Sequence, residues 1–165
     1  QEKTMKQRII AALLLSICAA AALIPAAQAD ELPAIKNFRE EASESTSKQA
    51  PILVLFMTQT CPYCKIALKE FLLPMQNDPE YDSKVILRQI DIGSSSKLTD
   101  INGKITTQSK LAKTLNIRAV PTVVIFDSLG QELVRIEGLL TADFYQSYLD
   151  TAISESQAKM KTNSR

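Results

Sequence analysis

The chain has 165 residues, 45 % of them apolar and 22 % charged, a composition that fits one ordinary globular domain and excludes a disordered or fibrous chain. It has no histidine, which removes Ser-His-Asp and Cys-His catalysis and the commonest nitrogen ligand of a metal centre. A formal net charge of +1 makes no electrostatic case for nucleic-acid binding.

Lys6 and Arg8 precede an apolar stretch over residues 9–24, which ends at Pro25 and the small-residue pattern Ala27-Gln28-Ala29. This is the layout of a secretory signal peptide, and cleavage after Ala29 leaves Asp30 at the mature N-terminus. The apolar run is shorter than the roughly 20 residues of a bilayer span. Removing residues 1–29 takes away Lys3, Lys6, Arg8 and Glu2, so the net charge moves from +1 to −1. Cys18 goes with them, leaving Cys61 and Cys64. A bridge closing so short a loop restrains little chain entropy, so stabilisation explains this pair poorly.

Residues 30–50 read as an N-terminal helix and linker. The helix spans about residues 32–47, with Ile35, Phe38 and Ala42 forming one apolar stripe. Pro51 then opens a single domain over residues 51–153. Its first element, Ile52-Leu53-Val54-Leu55-Phe56-Met57, is too continuously apolar for a half-exposed strand and predicts a central one, covered on both faces.

From Cys61 the period changes. Cys61, Cys64, Ala67, Leu68, Phe71 and Leu72 share one helical face while Pro62, Lys65 and Lys69 share the other, which predicts an amphipathic helix with proline in its first turn. Pro74 and Pro79 bracket a turn-rich passage, and residues 85–92 form the next strand, giving a parallel crossover unit. Asn102-Gly103 between Ile101 and Ile105 predicts a small surface hairpin with a two-residue turn. Leu111, Ala112 and Leu115 mark a short helix. Residues 122–126 and 132–136 are strands joined by a turn at 127–130. Thr141 is the expected N-cap of a last helix with Phe144, Tyr148, Leu149 and Ala152 on its apolar stripe, and residues 154–165 read as a frayed polar tail.

The chemistry concentrates in Cys61-Pro62-Tyr63-Cys64. A cysteine at a helix start meets unpaired backbone N–H groups and the positive end of the macrodipole, which favour its thiolate. Cys61 is so placed. Cys64, three residues on and on the buried stripe, is near enough to resolve a mixed disulfide formed by Cys61. Pro62 stiffens the first turn and Tyr63 is an exposed contact beside the sulfur. The same spacing is half of a zinc site, but no further cysteine remains in the mature chain to complete one. Lys65 and Lys69 are read as a solvated face, and Asp91 as a strand-end residue.

From residue 51 to residue 148 the chain resembles the thioredoxin family: an apolar strand, the Cys-Pro-Tyr-Cys motif at a helix start, Val120-Pro121-Thr122, and a strand pair ending in Glu137-Gly138. Ile90-Asp91-Ile92 and Ile101-Asn102-Gly103-Lys104 resemble periplasmic thioredoxins of the SoxW type. The resemblance implies an α/β thioredoxin fold, a central mixed sheet flanked by helices, with the N-terminal helix and the small hairpin as additions. It implies that Pro121 is a cis-proline, that the Val120 backbone pairs with a bound substrate chain, and that Gly138 leaves room for it. Thr60 departs from the family's tryptophan, Leu55 from its buried aspartate and Gln89 from that aspartate's lysine partner.

The reading is an exported, periplasmic thiol-disulfide oxidoreductase with Cys61 as nucleophile and Cys64 as resolving thiol, joined as a redox-active disulfide in the oxidised form. Pro62, Tyr63, Val120, Pro121 and Gly138 are its substrate contacts. It is a monomer needing no cofactor and no metal. By the resemblance it is a reductase of protein or small-thiol disulfides, recharged by a membrane electron donor. The rival enzyme is a disulfide-donating oxidase, and a rival of another class is a redox-inert binding module or metal carrier.

Overall fold

Six consecutive apolar residues cannot alternate between core and water, and Ile52–Met57 form a strand, β1, buried along its whole length. The structure is a computed structural model that describes residues 30–139 and 141–163. The expected signal peptide, residues 1–29, lies outside the described residues. Helix α1 (Phe38–Lys48) precedes β1. After it come α2 (Pro62–Ile66), a π-helical stretch (Ala67–Leu72) and α3 (Leu73–Gln76). Then follow β2 (Ile86–Asp91), β3 (Lys97–Thr99), β4 (Ile105–Thr107), α4 (Gln108–Thr114), β5 (Thr122–Phe126), β6 (Glu132–Glu137) and α5 (Ala142–Asn163).

The main sheet has the order β2-β1-β5-β6, with β1 parallel to β2 and antiparallel to β5. It is therefore mixed. Alternation along β1 sends Leu53, Leu55 and Met57 to one face, where they meet Cys64, Ala67, Leu68 and Leu72 of the segment after the motif and Tyr145 and Leu149 of α5. Ile52, Val54 and Phe56 go to the other, against Ile35 and Phe38 ahead of and within α1 and Ala112 of α4. Phe38 closes this second layer edge-on to Phe126, with ring centroids 5.4 Å apart. The thioredoxin architecture expected from the sequence is the one found, with its mixed sheet, flanking helices and extra N-terminal helix. No helix among the described residues is long and apolar enough to cross a membrane.

Five local expectations are corrected. Residues 32–37 are not helical: Pro33 lacks an N–H and disfavours helix at Leu32, and the segment instead runs beside β2, where Gln89 N donates to Pro33 O and Ile35 N to Gln89 O. The helix starts only at Phe38, after Asn37, whose side chain accepts from Arg39 N. The helix after the motif does not stop at Pro74. Its preceding turn widens, with Leu73 N donating to Leu68 O, which accommodates a residue that has no N–H and would crowd the carbonyl four back.

The hairpin exists, but Asn102-Gly103 lies inside a longer turn, residues 100–104, rather than forming a two-residue one. Asp100 Oδ1 accepts from Asn102 N and Lys104 N and organises it. Ile101 turns inward onto Gly130, where an added Cβ would come within 2.6 Å of it at a φ of +76°. The last helix is rotated from its expected phase: Tyr145, Leu149, Ala152 and Ile153 are buried, whereas Phe144 is 58 % and Tyr148 43 % exposed. It also continues through the expected tail to Asn163, held by Gln157 Nε2 on Lys84 O and Lys159 Nζ on Leu133 O.

Candidate active site

The end of β1 delivers the chain to a short loop in which Cys61 N donates to Thr58 O. Cys61 then caps α2 in an extended conformation, and its Sγ accepts the Cys64 backbone N–H at 3.1 Å. The same sulfur lies 3.8 Å from Val120 O, to which its S–H donates. Pro62 takes the first helical turn, where its missing N–H leaves nothing unpaired. Its neighbour Tyr63 is 62 % exposed. Lys65 and Lys69 are exposed on the outer side of the helix.

The two cysteines are free thiols in contrasting surroundings. Cys61 is partly exposed and Cys64 fully buried. Burial pushes the Cys64 thiol up to about 12, and the adjoining Cys61 side chain adds to the rise. Beneath them Leu55 is fully buried and offers no polar atom, and its neighbour across the ladder is Gln89, whose Nε2 reaches Glu31 Oε2 at 3.3 Å.

The Val120–Pro121 peptide bond is cis. Gly138 N donates to Pro121 O at 2.7 Å, and Gly138 itself has a φ of +77° with nothing within 4 Å of where a Cβ would stand. Tyr63, Val120, Pro121, Gly138 and Leu139 line one open depression of about 370 Å3 next to Cys61. All seven residues singled out in the sequence are thus neighbours. Asp91 is not among them; its Oδ1 accepts from Gly93 N at the end of β2. Among the described residues no group of three or more cysteine, aspartate or glutamate side chains is placed to hold a metal ion. Tyr145 was missed by the sequence reading, because the stripe through Phe144 and Tyr148 has the same four-residue spacing as the stripe through Tyr145 and Leu149.

The arrangement can carry a two-step exchange. An accessible sulfur attacks, and a shielded one within reach completes the internal disulfide.

The sequence pattern of the thioredoxin-like domain matches residues 38–153. The chain belongs to the thioredoxin-like domain family. Mitochondrial thioredoxin 3 from Saccharomyces cerevisiae, in its oxidised form, superposes with a TM-score of 0.51 at 19 % identity, covering 75 % of this chain and 94 % of that one. Thioredoxin from Malassezia sympodialis gives 0.51 at 20 % identity, over 77 % and 94 %. That of Fasciola hepatica gives 0.50 at 18 %, over 74 % and 97 %. At such identities the likeness is one of fold. No curated protein matches the chain. A thioredoxin-like fold with two cysteines adjoining at a helix start supports thiol-disulfide oxidoreductase chemistry in general terms.

Proposed function

We propose that this thioredoxin-like protein is an exported reductase of disulfides in proteins or small thiols, with Cys61 as nucleophile and Cys64 as resolving thiol. The observation that carries the reading is the asymmetry of the pair: Cys61 opens onto the depression of Tyr63, Val120, Pro121 and Gly138 while Cys64 is sealed in the core. In this reading the Val120 backbone and the free space at Gly138 receive an extended substrate segment, with Pro62 and Tyr63 as flanking contacts. Export rests on the signal-peptide layout of residues 1–29. The electron-donating direction and recharging by a membrane carrier rest on the resemblance to SoxW-type thioredoxins and on the short interval between residues 93 and 107, too short for the large helical insertion of dedicated periplasmic oxidases. The protein works as a monomer.

Limiting alkylation of the reduced protein, followed by mass mapping, tests the assignment of the two thiols: Cys61 is labelled well before Cys64. Cys64 labelled first would overturn it. Acid trapping of the thiols in the source cell tests direction: the pair is recovered mainly reduced, and Cys64→Ser accumulates mixed disulfides through Cys61. Recovery mainly as the disulfide, turning reduced only when its electron acceptor is deleted, would favour the disulfide-donating reading.

A further inference from the structure

The face of the sheet beneath the dithiol holds a polar atom that the exchange reaction, as described so far, does not use. Tyr145 is fully buried among Leu53, Leu55, Cys64 and Leu68, and its hydroxyl has no hydrogen-bond partner among the described residues. A buried hydroxyl without a partner costs about 1–3 kcal/mol, which a structural role does not recover, since phenylalanine would fill the same volume. The ring is held in place. It packs edge-on against Phe71, at 5.1 Å between centroids, and Phe71 follows Cys64 on the same helical segment. Both side chains belong to one core layer, and burial, followed by the charge of Cys64, pushes the Tyr145 phenol up to about 12. It therefore stays a protonated donor at neutral pH.

We propose that the Tyr145 hydroxyl is the group that stabilises the Cys64 sulfur as it becomes an anion during resolution of the mixed disulfide, acting by O–H donation from below. The proposal rests on the thiol-disulfide reading of Cys61 and Cys64. In the step concerned, Cys64 attacks the Cys61 sulfur of a Cys61–substrate disulfide. The Cys61–Cys64 bond forms, the bond to the substrate sulfur breaks, and the proton lost by Cys64 leaves on the substrate as its thiol. In this step Cys64 rises from thiol to disulfide level and the substrate sulfur falls to thiol, Cys61 staying at disulfide level. Over both steps the two cysteines are oxidised and the substrate disulfide is reduced by two electrons to two thiols. Tyr145 keeps its own proton throughout and lowers the energy of the Cys64 anion, which Leu55, fully buried in the same layer, has no atom to do.

Reaction with an aromatic disulfide such as dithiobis(nitrobenzoate) separates the steps: attack by Cys61 releases one coloured thiolate and resolution by Cys64 the second. Tyr145→Phe should slow the second release about tenfold, on the scale of one hydrogen bond to a charged group, and leave the first unchanged. The exposed Tyr148→Phe should leave both unchanged. Independently of any exchange, alkylation of Cys64 in the Cys61→Ser protein, which proceeds through its thiolate, should slow on Tyr145→Phe. An equal second release, or an unchanged alkylation rate, overturns the proposal. If the unsubstituted protein released no second thiolate, the oxidoreductase reading itself would fall, and the alkylation rate alone would decide whether the phenol supports the sulfur's anion.

Discussion

The two faces of the central sheet are built from one strand and differ in the polar groups they bury. On the face covered by α1 and α4, the partly buried Arg88 donates from Nε to Glu41 and from Nη2 to Glu44, both at 2.6 Å. On the face covered by α2, α3 and α5, three buried oxygens have no partner among the described residues: Gln89 Oε1, Tyr145 OH and Gln76 Oε1 of α3. Close packing is common to both, since β1 is buried throughout. Paired polar atoms on one side fasten the N-terminal helix to the sheet, whereas on the other the unpaired Tyr145 hydroxyl lies in the core layer of the buried thiol. A protein tolerates that cost where the atoms serve chemistry rather than stability.

Removing the cation from the paired face is the most damaging way to break the contrast. Arg88→Ala leaves Glu41 buried without its partner and should cost about 3–5 kcal/mol in urea unfolding at neutral pH, while thiolate release from an aromatic disulfide by the folded fraction is unaltered. A cavity on each face sharpens it. Leu55→Ala and Ile52→Ala should each cost about 2–5 kcal/mol, but only Leu55→Ala, beneath Cys64, should change the rate of the resolving step.

The smallest effect is one of pH. Burial holds the Glu41 carboxyl above its ordinary value of 4.5 against the pull of Arg88, so the folded state binds that proton more tightly than the unfolded state does. Its contribution is present in full below 4.5 and is lost as pH rises through the folded value. Glu44 is shifted the opposite way, chiefly by Lys48, and is the same in both proteins compared. Between about pH 4 and pH 7 the unsubstituted protein should therefore lose stability relative to Glu41→Gln, by roughly 1 kcal/mol or less. A gain in the stability of the unsubstituted protein relative to Glu41→Gln as pH rises would mean that Arg88, not burial, dominates at Glu41.

Much of this was legible in the sequence, for identifiable reasons. The run Ile52–Met57 has no polar position to face water, and Cys61 and Cys64 sit at a spacing that has one main chemical use once zinc partners are missing. Helix phase was harder to read. Phe144 with Tyr148 and Tyr145 with Leu149 differ by one residue, about 100° of rotation, and only the surface against which α5 packs distinguishes them. Tyr145 therefore carries no distinguishing signal in the sequence. The last turns of α5 were unreadable for another reason: Ser156 is fully buried, and Gln157 and Lys159 are held by carbonyls of Lys84 and Leu133, far away in the chain. Residues 32–37 carry an apolar pattern compatible with a helix, and it is the open edge of β2 that draws them straight.

That last pairing alters the exposure of the molecule to its own copies. An open sheet ends in two rows of unpaired amides and carbonyls, each a template for strand addition by another chain. Here the chain ahead of α1 covers one such row at Gln89, and the other, along β6, is studded with Glu132, Arg135 and Glu137, charges that resist docking of a second sheet. A shortened chain beginning at Phe38 would keep its dithiol, lose Leu32 and Ile35 from the two core layers, and uncover a second edge, Ile86–Asp91. The strap of residues 32–37 thus guards a sheet edge as well as filling the core.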